Sequence, residues 1–309
     1  MAKTEFVMYI VDMHCDSLIR VGGDRGLVNP YNFSAKYPHL QFTAAFVSAA
    51  KRPAEERRAE LMHHFNVYLS EKERLGLLGV KSAEDVYSFE DSEMRSSLFS
   101  VEGGAGLFPT SPELEVLKMG GLAVYGMAWE TNELASSAWD KNDTGLSELG
   151  KQMVRKCDSL GIISDVSHLS DKSFYDLMEE SRYPVLATHS NFRELCASPR
   201  NLTREMAKMI VERGGVIGLN LYSEFLNDSG EATLDDIIRH VDYALESFGD
   251  NALGFGFDLD GVDKLPAGIS LEASVHDQVI ELLLSRYSTE TVEKIAGKNV
   301  ANFLKSNLS

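Results

Sequence analysis

Imidazole and carboxylate side chains stand at the ends of several short apolar runs in this 309-residue chain, and their chemistry follows from that placement. The run Leu160-Gly-Ile-Ile-Ser-Asp-Val-Ser-His168 closes on a histidine. Pro184-Val-Leu-Ala-Thr-His189 repeats the pattern, with a helix-like segment, 171–180, between the two. Strand, helix, strand reads as a βαβ unit. Reactive groups in such folds collect at the carboxyl ends of the strands, so both imidazoles should face one opening. The first apolar run ends Asp12-Met-His14-Cys-Asp16. Strand alternation would put Asp12, His14 and Asp16 on one face and turn Cys15 toward the helices. A further run ends Val101-Glu102-Gly-Gly104, where the glycines allow a tight turn and close backbone approach. Singly, each of these is a capped or solvated strand end. Together, His14, Asp16, Glu102, His168 and His189 form a mixed nitrogen and oxygen donor set. Such a set suits two zinc-class ions roughly 3.5 Å apart that share one bridging carboxylate.

The last strand-like run ends Gly254-Phe-Gly-Phe-Asp258-Leu-Asp260-Gly261. Asp258 is placed to act as general base and acid beside a metal-activated water, and Asp260 as a turn residue. Two other readings of this stretch fail. Leu259 occupies a position where a dinucleotide fingerprint needs glycine, and Ile269 one where an EF-hand loop begun at Asp258 needs glutamate. The other histidines, His39, His63, His64, His240 and His276, fall in expected loops or helices and take solvated or structural roles.

Bringing these groups to one opening requires parallel strands. Besides the runs ending at His168 and His189, strands are expected at 6–13, 40–49, 97–101, 121–128, 215–221 and 252–257. Helices are expected at 54–77, 112–119, 146–160, 171–180, 203–213 and 234–248, with closing helices at 274–286 and 289–304. Eight strands alternating with helices is the pattern of one (β/α)8 TIM barrel over residues 1–309. A formal charge of −17 disfavours a phosphate backbone as partner and favours metal cations. Cys15, Cys157 and Cys196 are scattered and odd in number, which argues against a disulfide framework. The apolar start is interrupted at Asp12, too early for a signal peptide or membrane span. The expectation is a cytoplasmic protein with neither nucleic acid nor membrane as partner.

The motifs Asp-x-His-x-Asp at 12–16, Glu-Gly-Gly at 102–104, Asp-x-Ser-His at 165–168 and His189-Ser-Asn carry a resemblance. So do Cys196-Ala-Ser-Pro-Arg-Asn201, Gly-Gly-Val-Ile-Gly at 214–218, Asp-x-Asp-Gly at 258–261 and Ile295-Ala-Gly-Lys-Asn299. From His14 to about Leu304 the chain resembles the membrane (renal) dipeptidase family of zinc metallopeptidases, as a soluble bacterial-type member. The resemblance implies two zinc ions, one on His14 and Asp16, the other on His168 and His189, with Glu102 bridging. It implies a small dipeptide as substrate, attacked by a metal-bridged hydroxide, and a homodimer as assembly. Asp258 matches the proton shuttle and Arg200 the arginine that holds the substrate's C-terminal carboxylate. Tyr222 resembles a substrate-pocket tyrosine. Trp129 departs from the pattern, standing where better-known members carry a histidine that contacts the substrate carbonyl. Two other readings stay open here: a metal-dependent hydrolase of N-acyl amino acids, lactones or related esters, and a non-catalytic binding protein that kept the pocket.

Overall fold

The computed structural model describes residues 8–21, 26–49, 52–92 and 94–308. Its strands are β1 (Ile10–Cys15), β2 (His39–Phe46), β3 (Leu78–Gly79), β4 (Arg95–Glu102), β5 (Leu122–Gly126), β6 (Ile163–Asp165), β7 (Leu186–Ala187), β8 (Val216–Leu219) and β9 (Leu253–Phe255). The helices are α1 (Ala54–Leu75), α2 (Ala83–Glu90), α3 (Pro112–Gly120), α4 (Glu148–Leu160), α5 (Asp171–Glu180), α6 (Arg204–Glu212), α7 (Ser223–Leu226), α8 (Leu234–Phe248), α9 (Val275–Leu284), α10 (Thr289–Glu293) and α11 (Asn299–Asn307). The strands run parallel in the order β2-β1-β9-β8-β7-β6-β5-β4, and pairing of β2 with β4 closes the sheet. The result is an eight-stranded (β/α)8 barrel. The two-residue β3 lies beside β4 as a side branch.

Two apolar layers hold the barrel. Outward strand residues such as Ile10, Ala45, Phe99 and Leu122 pack against Leu61, Phe65, Leu114, Leu117, Leu177 and Ile210 of the helices. Inward residues, among them Val11, Met13, Leu40, Phe42, Leu98 and Val124, share a second cluster with Val300, Phe303 and Leu304 of α11. The closing helix thus helps fill the barrel interior, as burial of an apolar helix face demands. Helix ends follow local chemistry. Ser147, Ser170 and Thr203 accept N-cap hydrogen bonds at the starts of α4, α5 and α6.

The expected elements are present, with strands shorter than expected except β4, which extends over Arg95–Glu102, and residues 6–7 of the first expected strand lie outside the described residues. Three differences matter. The segment between 77 and 97 contains β3 and the short α2, whose Ser82–Asp85 capping box outweighs its small apolar face of Val86 and Phe89. The closing helix expected at 289–304 is divided by a π-helical turn, Lys294–Lys298. Finally, the β1–β2 register shifts between Asp12 and Cys15. That bulge breaks the strict alternation on which a common face for Asp12, His14 and Asp16 depended.

Candidate active site

The barrel brings His14, Asp16, Glu102, His168, His189 and Asp258 together at the carboxyl ends of β1, β4, β6, β7 and β9. Glu102 is central, with each carboxylate oxygen facing a different group of ligands. Its Oε2 lies 3.7 Å from His14 Nε2, which is also 3.7 Å from Asp16 Oδ2 and 3.8 Å from Asp258 Oδ1. Its Oε1 lies 2.8 Å from His168 Nε2 and 3.3 Å from His189 Nε2, and the two imidazole nitrogens are 2.8 Å apart. Within each of the groups His14–Asp16–Glu102, Glu102–His168–His189 and His14–His189–Asp258, the ligand atoms lie within 4.8 Å of one another.

Protonation tests whether these residues fit metal ions. Thr188 Oγ1 lies 2.5 Å from Asp165 Oδ2 and 2.8 Å from His189 Nδ1. A hydroxyl has one proton, and the Asp165 carboxylate accepts it; the hydroxyl oxygen therefore accepts from His189 Nδ1–H. That leaves His189 Nε2 as a lone pair aimed at Glu102 and His168, the tautomer a metal requires. Burial, reinforced by Arg200 and His14, pushes both His168 and His189 well below the ordinary imidazole range. Both are neutral donors. Burial alone would also push His14 down, but Glu102, Asp16 and Asp258 outweigh it and hold that ring up at about 10. Burial drives Glu102 well above the usual carboxylate range, with the His14 charge opposing. His14 Nε2, Asp16 Oδ1 and Glu102 Oε1 are buried without a hydrogen bond. Polar atoms gathered this closely without hydrogen bonds are what an intervening dication would satisfy, His14 giving up its proton to the ion. The residues fit.

Asp258 combines proximity to this cluster with an anchored carboxylate. Asn220 donates to its Oδ2 at 2.9 Å, and burial, opposed by His14 and aided by Asp16, pushes its carboxyl up to about 7. The backbone is strained here: Asp258 has φ 62° and His168 φ 69°, values uncommon outside glycine. Gly261 makes the close packing feasible, because a Cβ there would lie 2.3 Å from both Asp16 Oδ2 and Asp258 Oδ1. Asp12, by contrast, belongs to the supporting structure. Its Oδ1 accepts the backbone N–H groups of His14 and Phe257 at 3.2 and 3.1 Å, and His276 Nε2 lies 2.6 Å from Oδ2. It ties the segments that carry His14 and Asp258 to α9. Cys15 does face the helix layer.

Arg200 is buried beside the ligands. Its Nη2 donates to the His189 carbonyl at 2.9 Å, its Nε has no partner, and among the described residues no carboxylate forms an ion pair with it. Trp129 is half-exposed over Gly103, with its ring 5.1 Å from Phe46 and 6.0 Å from His168. Tyr222 precedes α7 and meets Phe225 edge-on at 4.8 Å. Of the histidines expected in loops or helices, His39 instead begins β2, where its Nδ1 accepts the Ser34 N–H. His39, His240 and His276 are fully buried, so their role is structural and not solvated. Asn220, Thr188 and Trp139 carry no signal in the sequence that marks them as functional. Asp165 carries one, its place three residues before His168 in Asp-x-Ser-His.

Fold and site together define a metal-dependent hydrolase of the TIM-barrel type. The family model described as Membrane dipeptidase (Peptidase family M19) matches residues 9–307. The chain belongs to that family, and is accordingly a metallo-dipeptidase, a hydrolase of peptide bonds. It is 31% identical over 228 residues to the dipeptidase tcpJ of Claviceps purpurea, covering 72% of this chain and 53% of that protein. A Klebsiella pneumoniae protein, described as an uncharacterized protein in the pqqA 5' region, is 28% identical over 236 residues, covering 73% of this chain and 87% of that one. Among solved structures, dipeptidase AC superposes with a TM-score of 0.87 at 23% identity, over 98% of this chain and 99% of its own. A Rhodobacter sphaeroides metallopeptidase, solved with a phosphinate mimic of the dipeptide L-Ala-D-Ala, superposes with a TM-score of 0.85 at 23% identity, over 98% and 100%. At these identities the structural likenesses speak for the fold. Among the described residues, no helix is long and apolar enough to cross a membrane.

Proposed function

We propose that residues 1–309 form one barrel domain that hydrolyses dipeptides with a free C-terminal carboxylate and holds two zinc ions. His14 and Asp16 would hold one, His168 and His189 the other, with Glu102 between them. The observation that carries this reading is the division of Glu102: Oε2 faces His14, while Oε1 faces His168 and His189. When bound, the ions supply Lewis-acid polarisation of the peptide carbonyl and lower the pKa of water. Asp258, 3.8 Å from His14 Nε2 and oriented by Asn220, takes the proton of the attacking water and returns it to the leaving amine. Arg200 pairs bidentately with the substrate's C-terminal carboxylate, the use its buried and incompletely satisfied guanidinium supports. Trp129 and Tyr222 line the mouth. Trp129 can donate one hydrogen bond to a developing oxyanion but cannot carry the positive charge of an imidazolium. Cys15, Cys157 and Cys196 are all free and buried, which suits the cytoplasm.

The test is a substrate panel run with zinc and with chelator. It should contain dipeptides with L- or D-residues at the C-terminus, their C-terminal amides, and N-acyl amino acids. The expected result is zinc-dependent hydrolysis of the free acids, with amides cleaved at least about tenfold less well for loss of the charged pair. Equal cleavage of amides would remove Arg200 as the clamp, and preference for N-acyl amino acids would replace the dipeptide reading.

A further inference from the structure

The chain has two tryptophans, Trp129 and Trp139, and both are unusually open, 42% and 55% exposed. A large aromatic left in water on a mobile loop would need no explanation, but Trp139 sits on a fastened one. The Ala138 N–H donates to the His168 carbonyl at 2.8 Å, the Ser170 N–H to the Ser136 carbonyl at 3.0 Å, and Ser137 bridges Leu169. The loop after β5 is thereby attached to the segment that presents His168. It carries Trp139 to Phe225, with ring centroids 6.5 Å apart and planes 37° apart. Phe225 is largely buried, and its ring centre lies 5.4 Å from the Arg200 guanidinium carbon. Arg200, Phe225 and Trp139 therefore form a line of successive contacts from a buried guanidinium to an exposed indole. Trp129 stands apart from this line, against Phe46 and His168.

We propose that Trp139, with Phe225, is a specificity-determining residue that selects dipeptides with a large apolar, above all aromatic, C-terminal side chain. This rests on the assignment of Arg200 to the substrate carboxylate. A carboxylate held on Arg200 fixes the attached Cα one bond away, so the side chain on that carbon emerges beside the groups flanking the guanidinium. On this flank those groups are Phe225 and the open face of Trp139, which offer apolar and ring-stacking contact. The N-terminal residue of the dipeptide, on the far side of the scissile bond, does not meet Trp139.

The test compares Ala-Gly with Ala-Phe, Ala-Leu and Phe-Ala, the last three in both configurations at the C-terminal residue, on the zinc-loaded full chain. Wild type should prefer Ala-Phe to Ala-Gly by at least about tenfold in kcat/KM, the scale of an apolar pocket contact. Trp139→Ala should remove most of that preference through KM, leave Ala-Gly within about twofold, and be largely rescued by Trp139→Phe, as expected when binding alone is lost. An equal loss on Ala-Gly would mean that Trp139 merely holds the His168 loop, and a loss confined to Phe-Ala would place the subsite on the wrong residue; either overturns the proposal. An independent readout uses Trp129→Phe, which leaves Trp139 as the sole tryptophan. Its emission in metal-free protein should respond to Ala-Phe and not to Ala-Gly, and an identical response to the two would also overturn it. Emission that responds selectively while no dipeptide is hydrolysed would keep the subsite and sink the catalytic reading. Hydrolysis without side-chain preference would do the reverse.

Discussion

The two sides of the ligand cluster use similar residues under opposite electrostatic control. On the His14 side, Glu102, Asp16 and Asp258 approach one imidazole within 3.7 to 3.8 Å and outweigh its burial, holding it up at about 10. On the His189 side, burial dominates, and His14 and Arg200 add repulsion, so His168 and His189 stay neutral. The carboxylate-rich side demands a positive charge, which a proton or a metal can supply. The imidazole-rich side presents lone pairs, one of them set by the Thr188–Asp165 relay. Neutral nitrogen donors suit zinc, and the carboxylates would offset the charge of the two ions proposed above.

Breaking the group common to both sides should have the largest effect. Glu102→Gln replaces an anion that faces both sides with a neutral amide, so activity should vanish and metal content should fall below two ions per chain. Metal analysis is decisive: two retained ions with normal turnover would show that the two sides do not depend on Glu102. Asp258→Asn touches the carboxylate-rich side alone. It should leave the metals in place and lower kcat by roughly two to four orders of magnitude, the range for a lost general acid and base. Near-normal turnover would remove Asp258 from proton transfer. Thr188→Val touches only the imidazole-rich side. Without the hydroxyl, the His189 tautomer is no longer enforced, and affinity for one ion of the pair should fall about 10- to 100-fold. Competition titration with a chelating dye would read this as one weakened and one unchanged site; equal weakening of both would deny the sides their independence.

Much of this was legible before any coordinates. Each candidate ligand stood at the end of an apolar run, because strands buried between a core and a helix layer must be apolar until they reach the opening. His14, Glu102, His168, His189 and Asp258 could therefore be chosen by residue type and position. Asp12 could not be placed correctly, because a single bulge between Asp12 and Cys15 changes which face a side chain takes. His39 fell one residue before the strand expected at 40–49 and so read as a loop histidine, yet pairing with β1 and β4 draws it into β2. Trp139 carried no periodic signal at all. Its position depends on hydrogen bonds from its loop to the His168 segment.

The sequence by itself determined the alternation of strands and helices and the donor types at strand ends, since these rest on local sterics, burial and short spacings, and its motifs carried the resemblance to the family. Only the tertiary structure decided that Glu102 turns one oxygen to each side, that Thr188 and Asp165 set the His189 tautomer, and that Trp139 reaches the Phe225–Arg200 line. Those outcomes depend on the β2–β4 pairing that closes the barrel and on contacts between residues far apart in the chain. Protonation belongs to the same category, because burial and neighbouring charge exist only once the chain has closed around them.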